Sequence, residues 1–165
     1  MKQLKYLWYM FLGLLLVLLD VSFLSNFEIY GASIITSFLT LIIMTISDRG
    51  DDYIYFSLIL ILLFSIFSSL PLGVIVINFL VLPSVLNLVV REYFPRPNHV
   101  TVMLYFILTT LIFDLVLLVW SRYWSATGLL AVGYFVLINS FAGWIINFIY
   151  LSLKRKFTLD TEVKI

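Results

Sequence analysis

Residues 53–90 read YIYFSLILILLFSIFSSLPLGVIVINFLVLPSVLNLVV, 38 positions without a charged side chain. As one α-helix this stretch would extend about 57 Å, nearly twice the roughly 30 Å of a bilayer's hydrocarbon. It therefore has to fold back. Only Ser68-Ser69-Leu70-Pro71-Leu72-Gly73 carries turn chemistry, so the stretch reads as a tight hairpin of two apolar helices, 53–70 and 72–90. A re-entrant pair gives the same pattern. Pro83, inside the second arm, lacks a backbone N–H and predicts a kink about one turn earlier, near Phe79.

Four more apolar runs flank the hairpin, Tyr6–Leu24, Tyr30–Ser47, Val100–Trp120 and Ala126–Leu153, making six in 165 residues. The composition is 63% hydrophobic and 12% charged, with a mean hydropathy of +1.13, far outside soluble usage. Six spans leave no room for a soluble domain, so residues 1–165 are expected to form a single all-α transmembrane domain, a six-helix bundle. The first run is too long for a signal-peptide core and ends without a small-residue cleavage site, which predicts a retained helix. The sixth run covers 28 residues, so it is either tilted or begins outside the hydrocarbon near Gly128. Tyr6, Trp8 and Tyr9, and Trp120, Tyr123 and Trp124, fit interfacial aromatic belts.

Charge sets the expected orientation. Lys2, Lys5, Arg49, Arg91, Arg96, Lys154, Arg155, Lys156 and Lys164 fall at the two ends and in the second and fourth loops, and Arg122 alone falls in an odd-numbered loop. Short loops obey the positive-inside rule, which places both termini in the cytoplasm. The net charge of +1 and the scatter of basic residues give no footprint for nucleic acid. Lys154–Lys156 reads as a stop at anionic headgroups.

Two carboxylates lie inside spans, Asp20 and Asp114, both in the outer half of the bilayer under this orientation. An unpaired charge there costs at least about 2.5–3.5 kcal/mol, so such groups face the bundle and find partners. Asp20 is near enough to the interface to be merely solvated. Thr110 and Asp114 share a helical face, with Arg122 two turns on. Asp114 is either part of a ligand or partner site, or a structural knot in which it is neutral or paired with Arg122, Asn78 or a hydroxyl. Asn139, Gly143 and Asn147 recur every four residues, a stripe suited either to sealing the bundle or to docking a partner helix. Ser33, Ser37, Thr40 and Ser47 form a similar stripe on the second run.

The pattern offers no catalytic constellation. There is no cysteine, and His99 is the sole histidine, without a second ligand at metal spacing. No phosphate-cradling loop, nucleophile elbow or HExxH occurs. Asp48, Asp51 and Asp52 are too few to read as the Asp-rich Mg²⁺ motif of a lipid phosphotransferase. The expectation is a non-enzymatic protein without metal or cofactor.

Ser69-Leu70-Pro71-Leu72-Gly73-Val74, followed by an apolar helix ending Arg91-Glu92-Tyr93-Phe94, resembles the MreD family, membrane subunits of the bacterial rod-shape machinery. The stretch Thr109–Trp120, with Asp114 within it, resembles the family's penultimate helix, which often carries an acid at that place. Asn147–Lys156 resembles its basic terminus. One departure is visible: many members carry an acid in the third helix before the Leu-Gly turn, whereas Phe64–Ser68 is uncharged here. The resemblance implies a fold like that of the S components of energy-coupling-factor transporters. It also implies a scaffold of the elongasome in the bacterial inner membrane, acting in cell shape and peptidoglycan synthesis. That scaffold would bind an MreC-like single-pass protein and, through it, RodA, its transpeptidase and MreB. The competing expectation is a vitamin-binding S component, with Asp20, Asn78, Asp114, Arg122, Trp120 and Trp124 at the level of its ligand. Against that reading, the first helix lacks an Ala-x-x-x-Ala docking face and has only Gly13 among Leu and Val.

Overall fold

A computed structural model describes residues 2–27, 32–47, 52–93, 98–121 and 126–162. Their regular structure is helical. In chain order the α-helices are α1 (Lys2–Leu18), α2 (Thr36–Ser47), α3 (Asp52–Phe67), α4 (Leu72–Val76), α5 (Leu82–Tyr93), α6 (His99–Ser121) and α7 (Ala126–Glu162). A π-helical turn, Ile77–Val81, joins α4 to α5, so the two form one rod. Another, Leu19–Phe23, extends α1 and is followed by a 3₁₀ turn, Leu24–Asn26. Among the described residues four stretches are long and apolar enough to cross a membrane: Leu4–Asn26, Leu72–Val90, His99–Ser121 and Gly128–Ser152. Two shorter apolar helices, Thr36–Ser47 and Asp52–Phe67, lie beside them. The chain is a multi-pass membrane protein.

The hairpin read from residues 53–90 is present. Pro71, extended at φ −63° and ψ 142°, stands as the N-cap of α4, and Phe64 stacks on Phe79 across the pair at 4.7 Å. Pro83 acts one turn upstream, as its missing donor requires. In the turn Ile77–Val81 the Leu82 N–H reaches back five residues to the Ile77 carbonyl.

The helices alternate in direction. Lys5 of α1 pairs with Asp52 of α3, Tyr9 packs on Phe56, and Gly13 lies against Ile59, so α1 and α3 run parallel from one end. Thr110 meets Ser140 and Phe113 stacks on Phe135, so α6 and α7 run antiparallel. Tyr9 and Tyr150 line one cavity, which puts the start of α1 and the second half of α7 at the same end.

The short helix α2 is the axis. It touches α1, α3, α5, α6 and α7, and its Phe38, Leu39, Leu41 and Ile42 are fully buried. Its Thr40 and Thr45 hydroxyls donate to its own Thr36 and Leu41 carbonyls, which lets the helix lie in an apolar interior. Around it five rings from five elements form an aromatic centre: Phe38 lies 4.3 Å from Phe113 and 6.0 Å from Phe79, with Phe64 and Phe135 stacked outside them.

Two boundaries differ from the sequence reading. The run Tyr30–Ser47 is not helical throughout: α2 begins only at Thr36, and residues 33–35 have no regular hydrogen-bonded structure. Ser33 therefore does not belong to a helical stripe. At the other end α7 does not stop at Leu153 but continues to Glu162, about 15 Å beyond Ser152. Its basic residues Lys154–Lys156 sit on a continuing helix rather than after one.

Candidate functional site

Among the polar side chains inside the bundle, two groups stand out, a clamp around the start of α2 and a cavity beside Asp114.

The clamp begins with Asp20. It lies in the π turn at the end of α1 and is 8% exposed, so it is not solvated as its nearness to the interface had indicated. Its Oδ1 accepts from the Thr36 backbone N–H at 2.8 Å and the Thr36 hydroxyl at 2.6 Å. Its Oδ2 accepts from the Ser37 N–H at 3.0 Å and the Ser37 hydroxyl at 2.5 Å. A helix starting inside apolar surroundings has unpaired N–H groups and a positive dipole end, and one carboxylate answers both. The four donors in turn offset the desolvation of the acid.

Asn139 completes the clamp from α7. Its amide donates to the Ser33 carbonyl at 2.9 Å and the Phe135 carbonyl at 3.0 Å, and its oxygen accepts from the Ile35 N–H at 2.9 Å. Irregular backbone inside a membrane bundle persists only where protein satisfies its polar groups. Here two distant side chains do so, Asn139 for Ser33 and Ile35 and Asp20 for Thr36 and Ser37.

The rest of the stripe is also internal. Gly143 and Asn147 are buried, and a Cβ at Gly143 would sit 2.5 Å from the Phe106 ring. The face Asn139–Gly143–Asn147 therefore seals α7 against its own bundle and is not free to receive a partner helix. Asn78, 1% exposed in the π turn before Pro83, has no partner for its Oδ1 among the described residues. Thr110, expected beside Asp114, instead donates to the Phe106 carbonyl and meets Ser140.

Asp114 is different. It is half-buried on α6 and, among the described residues, has no hydrogen bond or ion pair. The proposed knots with Asn78 or a hydroxyl are thus not formed. Arg122, Tyr123 and Trp124 lie outside the described residues, as do Asp48 and Asp51; Asp52 pairs with Lys5. The Asp114 side chain lines a cavity of about 300 Å³ between α6, the start of α7 and the α3–α4 turn. Leu70, Leu117 and Val132 form its apolar wall, Phe135 and Trp120 contribute rings, and Ser121 a hydroxyl. Phe135 is held from behind by its stack on Phe113, the neighbour of Asp114.

Leu70 and Phe135 were not read as site residues. Nothing in their local spacing sets them apart from other apolar positions; only the fold brings them to Asp114. No family model, curated protein or solved structure matches this chain.

Proposed function

We propose that this protein is a non-enzymatic membrane adaptor of the bacterial cell-shape and peptidoglycan-elongation machinery. In this reading it sits in the cytoplasmic membrane and binds an MreC-type single-pass partner, through which it engages RodA, its transpeptidase and MreB. It crosses the bilayer six times with both termini cytoplasmic. The alternation of helix direction and the nine Lys/Arg that would share one side support that topology.

The observation that carries the reading is a lateral groove. Between α4 and α6 runs an apolar channel of about 680 Å³, walled by Val74, Ile77, Ile112, Leu115, Val119 and Trp120. The polar stripe of α7 is used internally, so a partner helix has to be met by packing on such a surface. Apart from its chain neighbours and its own helix backbone, Gly73, at the head of α4, has no described atom within 4 Å of where a Cβ would stand, which admits a close backbone. The test is co-purification from gently solubilised membranes with the groove filled by Ile112→Trp and Val119→Trp. A single-span protein with a periplasmic domain should co-purify with the wild type and be lost from the variant at unchanged melting temperature. Its retention by the filled variant would contradict the assignment.

One observation favours a second reading, the S component of an energy-coupling-factor vitamin transporter: the Asp114 cavity lies at one end of the bundle, where such proteins take their ligand. Co-purification of a transporter ATPase pair would select it.

A further inference from the structure

We propose that the cavity beside Asp114 binds a small organic monocation, an alkylammonium whose nitrogen rests on the Asp114 carboxylate and whose alkyl part lies along Leu70, Leu117 and Val132.

Three observations converge on that chemistry. First, the protein satisfies its other intramembrane carboxylate with four hydrogen bonds, yet leaves Asp114 with none among the described residues. A half-buried carboxylate without a partner is unfavourable in its ionised form, and a bound cation removes that cost. Second, the surrounding wall is apolar except for Ser121, which rejects a strongly hydrated ion and accepts a hydrocarbon stem. Third, two aromatic residues, Phe135 and Trp120, line the same space, and ring faces attract ammonium groups. The volume of about 300 Å³ is at the lower end of ligand sites, so the ligand is small.

The charge of the ligand follows from the donor count. Among the described residues no three His, Asp or Glu side chains converge. A single carboxylate supplies too few oxygens for Ca²⁺ or Mg²⁺, which take six or more, but it balances one positive charge. An anionic solute would meet like charge at the floor of the site.

The α4–α6 groove and this cavity share Trp120 at their edge, but Ile112 and Val119, which fill the groove in the test above, do not line the cavity, and Asp114 does not line the groove. Loss of partner capture leaves the cavity intact, and loss of amine binding leaves the groove intact.

The test uses the full-length protein in neutral detergent, with n-butylammonium chloride as probe and n-butanol and sodium butyrate as neutral and anionic counterparts. Binding is read by calorimetry and by the rise in melting temperature that a ligand of the folded state produces. The expected result is saturable butylammonium binding at least about tenfold tighter than butanol, with no response to butyrate. Asp114→Asn should weaken it at least about tenfold, and Asp52→Asn, a carboxylate at the other end, should leave it unchanged. Equal binding of amine and alcohol by the wild type would overturn the proposal, and that comparison holds even where Asp114→Asn fails to fold. Undiminished binding by a folded Asp114→Asn would overturn it as well. Amine binding that appears only in Arg122→Gln would assign the cavity to the chain's own cation and equally overturn it.

Discussion

The carboxylate of Asp20 accepts both the backbone N–H and the hydroxyl of Thr36, at 2.8 and 2.6 Å, and so starts the central helix of the bundle from the end of the first one. Because α2 touches nearly every other helix, this capping relationship fixes the axis on which the aromatic centre is built.

Removing that cap should be costly. Asp20→Ala leaves the Thr36 and Ser37 N–H groups unpaired in a buried site, for an expected loss of about 2–4 kcal/mol. Asp20→Asn keeps one acceptor and should lose about half as much. Reversible unfolding in mixed micelles measures both, and an Asp20→Ala variant as stable as the wild type would remove the clamp from the account.

The close contact at Gly143 yields a prediction with a built-in rescue. A Cβ there would stand 2.5 Å from the Phe106 ring, so Gly143→Ala should destabilise by about 1–3 kcal/mol. Phe106→Leu in the same chain should recover part of that loss, because the two residues are in contact and their effects do not add. Additive losses in the double variant would show that the ring is not the obstacle.

The two carboxylates should respond in opposite senses to the same substitution. Asp20→Leu destroys four hydrogen bonds and should lower the melting temperature. Asp114→Leu removes a half-buried acid without a partner among the described residues and should raise stability by about 0.5–2 kcal/mol, as removal of a functional-site group often does. A melting temperature lowered by Asp114→Leu would mean that its carboxylate is structurally paired.

What could be read in advance was whatever a local rule dictates. Pro83 announces the break at Ile77–Val81 because the missing donor acts four residues upstream, and Ser68–Gly73 announces the hairpin because no other segment there can turn. The late start of α2 was not legible. Ile34 and Ile35 continue the apolar run in any hydropathy window, and the groups that satisfy the backbone where α2 starts, Asn139 on Ser33 and Ile35 and Asp20 on Thr36 and Ser37, are distant in sequence. The regular spacing of Asn139, Gly143 and Asn147 marks them as one helical face, but spacing cannot say whose helix lies on it. Phe106 supplies that answer. The isolation of Asp114 was also invisible, since Thr110 four residues earlier looked like a natural partner and turns to Ser140 instead.

The central claim is a six-pass bundle with both ends in the cytoplasm, and cysteine accessibility tests it most directly because the chain has no native thiol. Asn98 caps α6 by accepting from the Thr101 N–H at 2.8 Å, so the probe belongs on its exposed neighbour, as His99→Cys, with Ser125→Cys for the loop between α6 and α7. On intact spheroplasts an impermeant maleimide should label Ser125→Cys and leave His99→Cys unlabelled until the membrane is opened. Labelling of His99→Cys alone would contradict the orientation, and labelling of both or neither before opening would contradict the passage of α6 across the membrane.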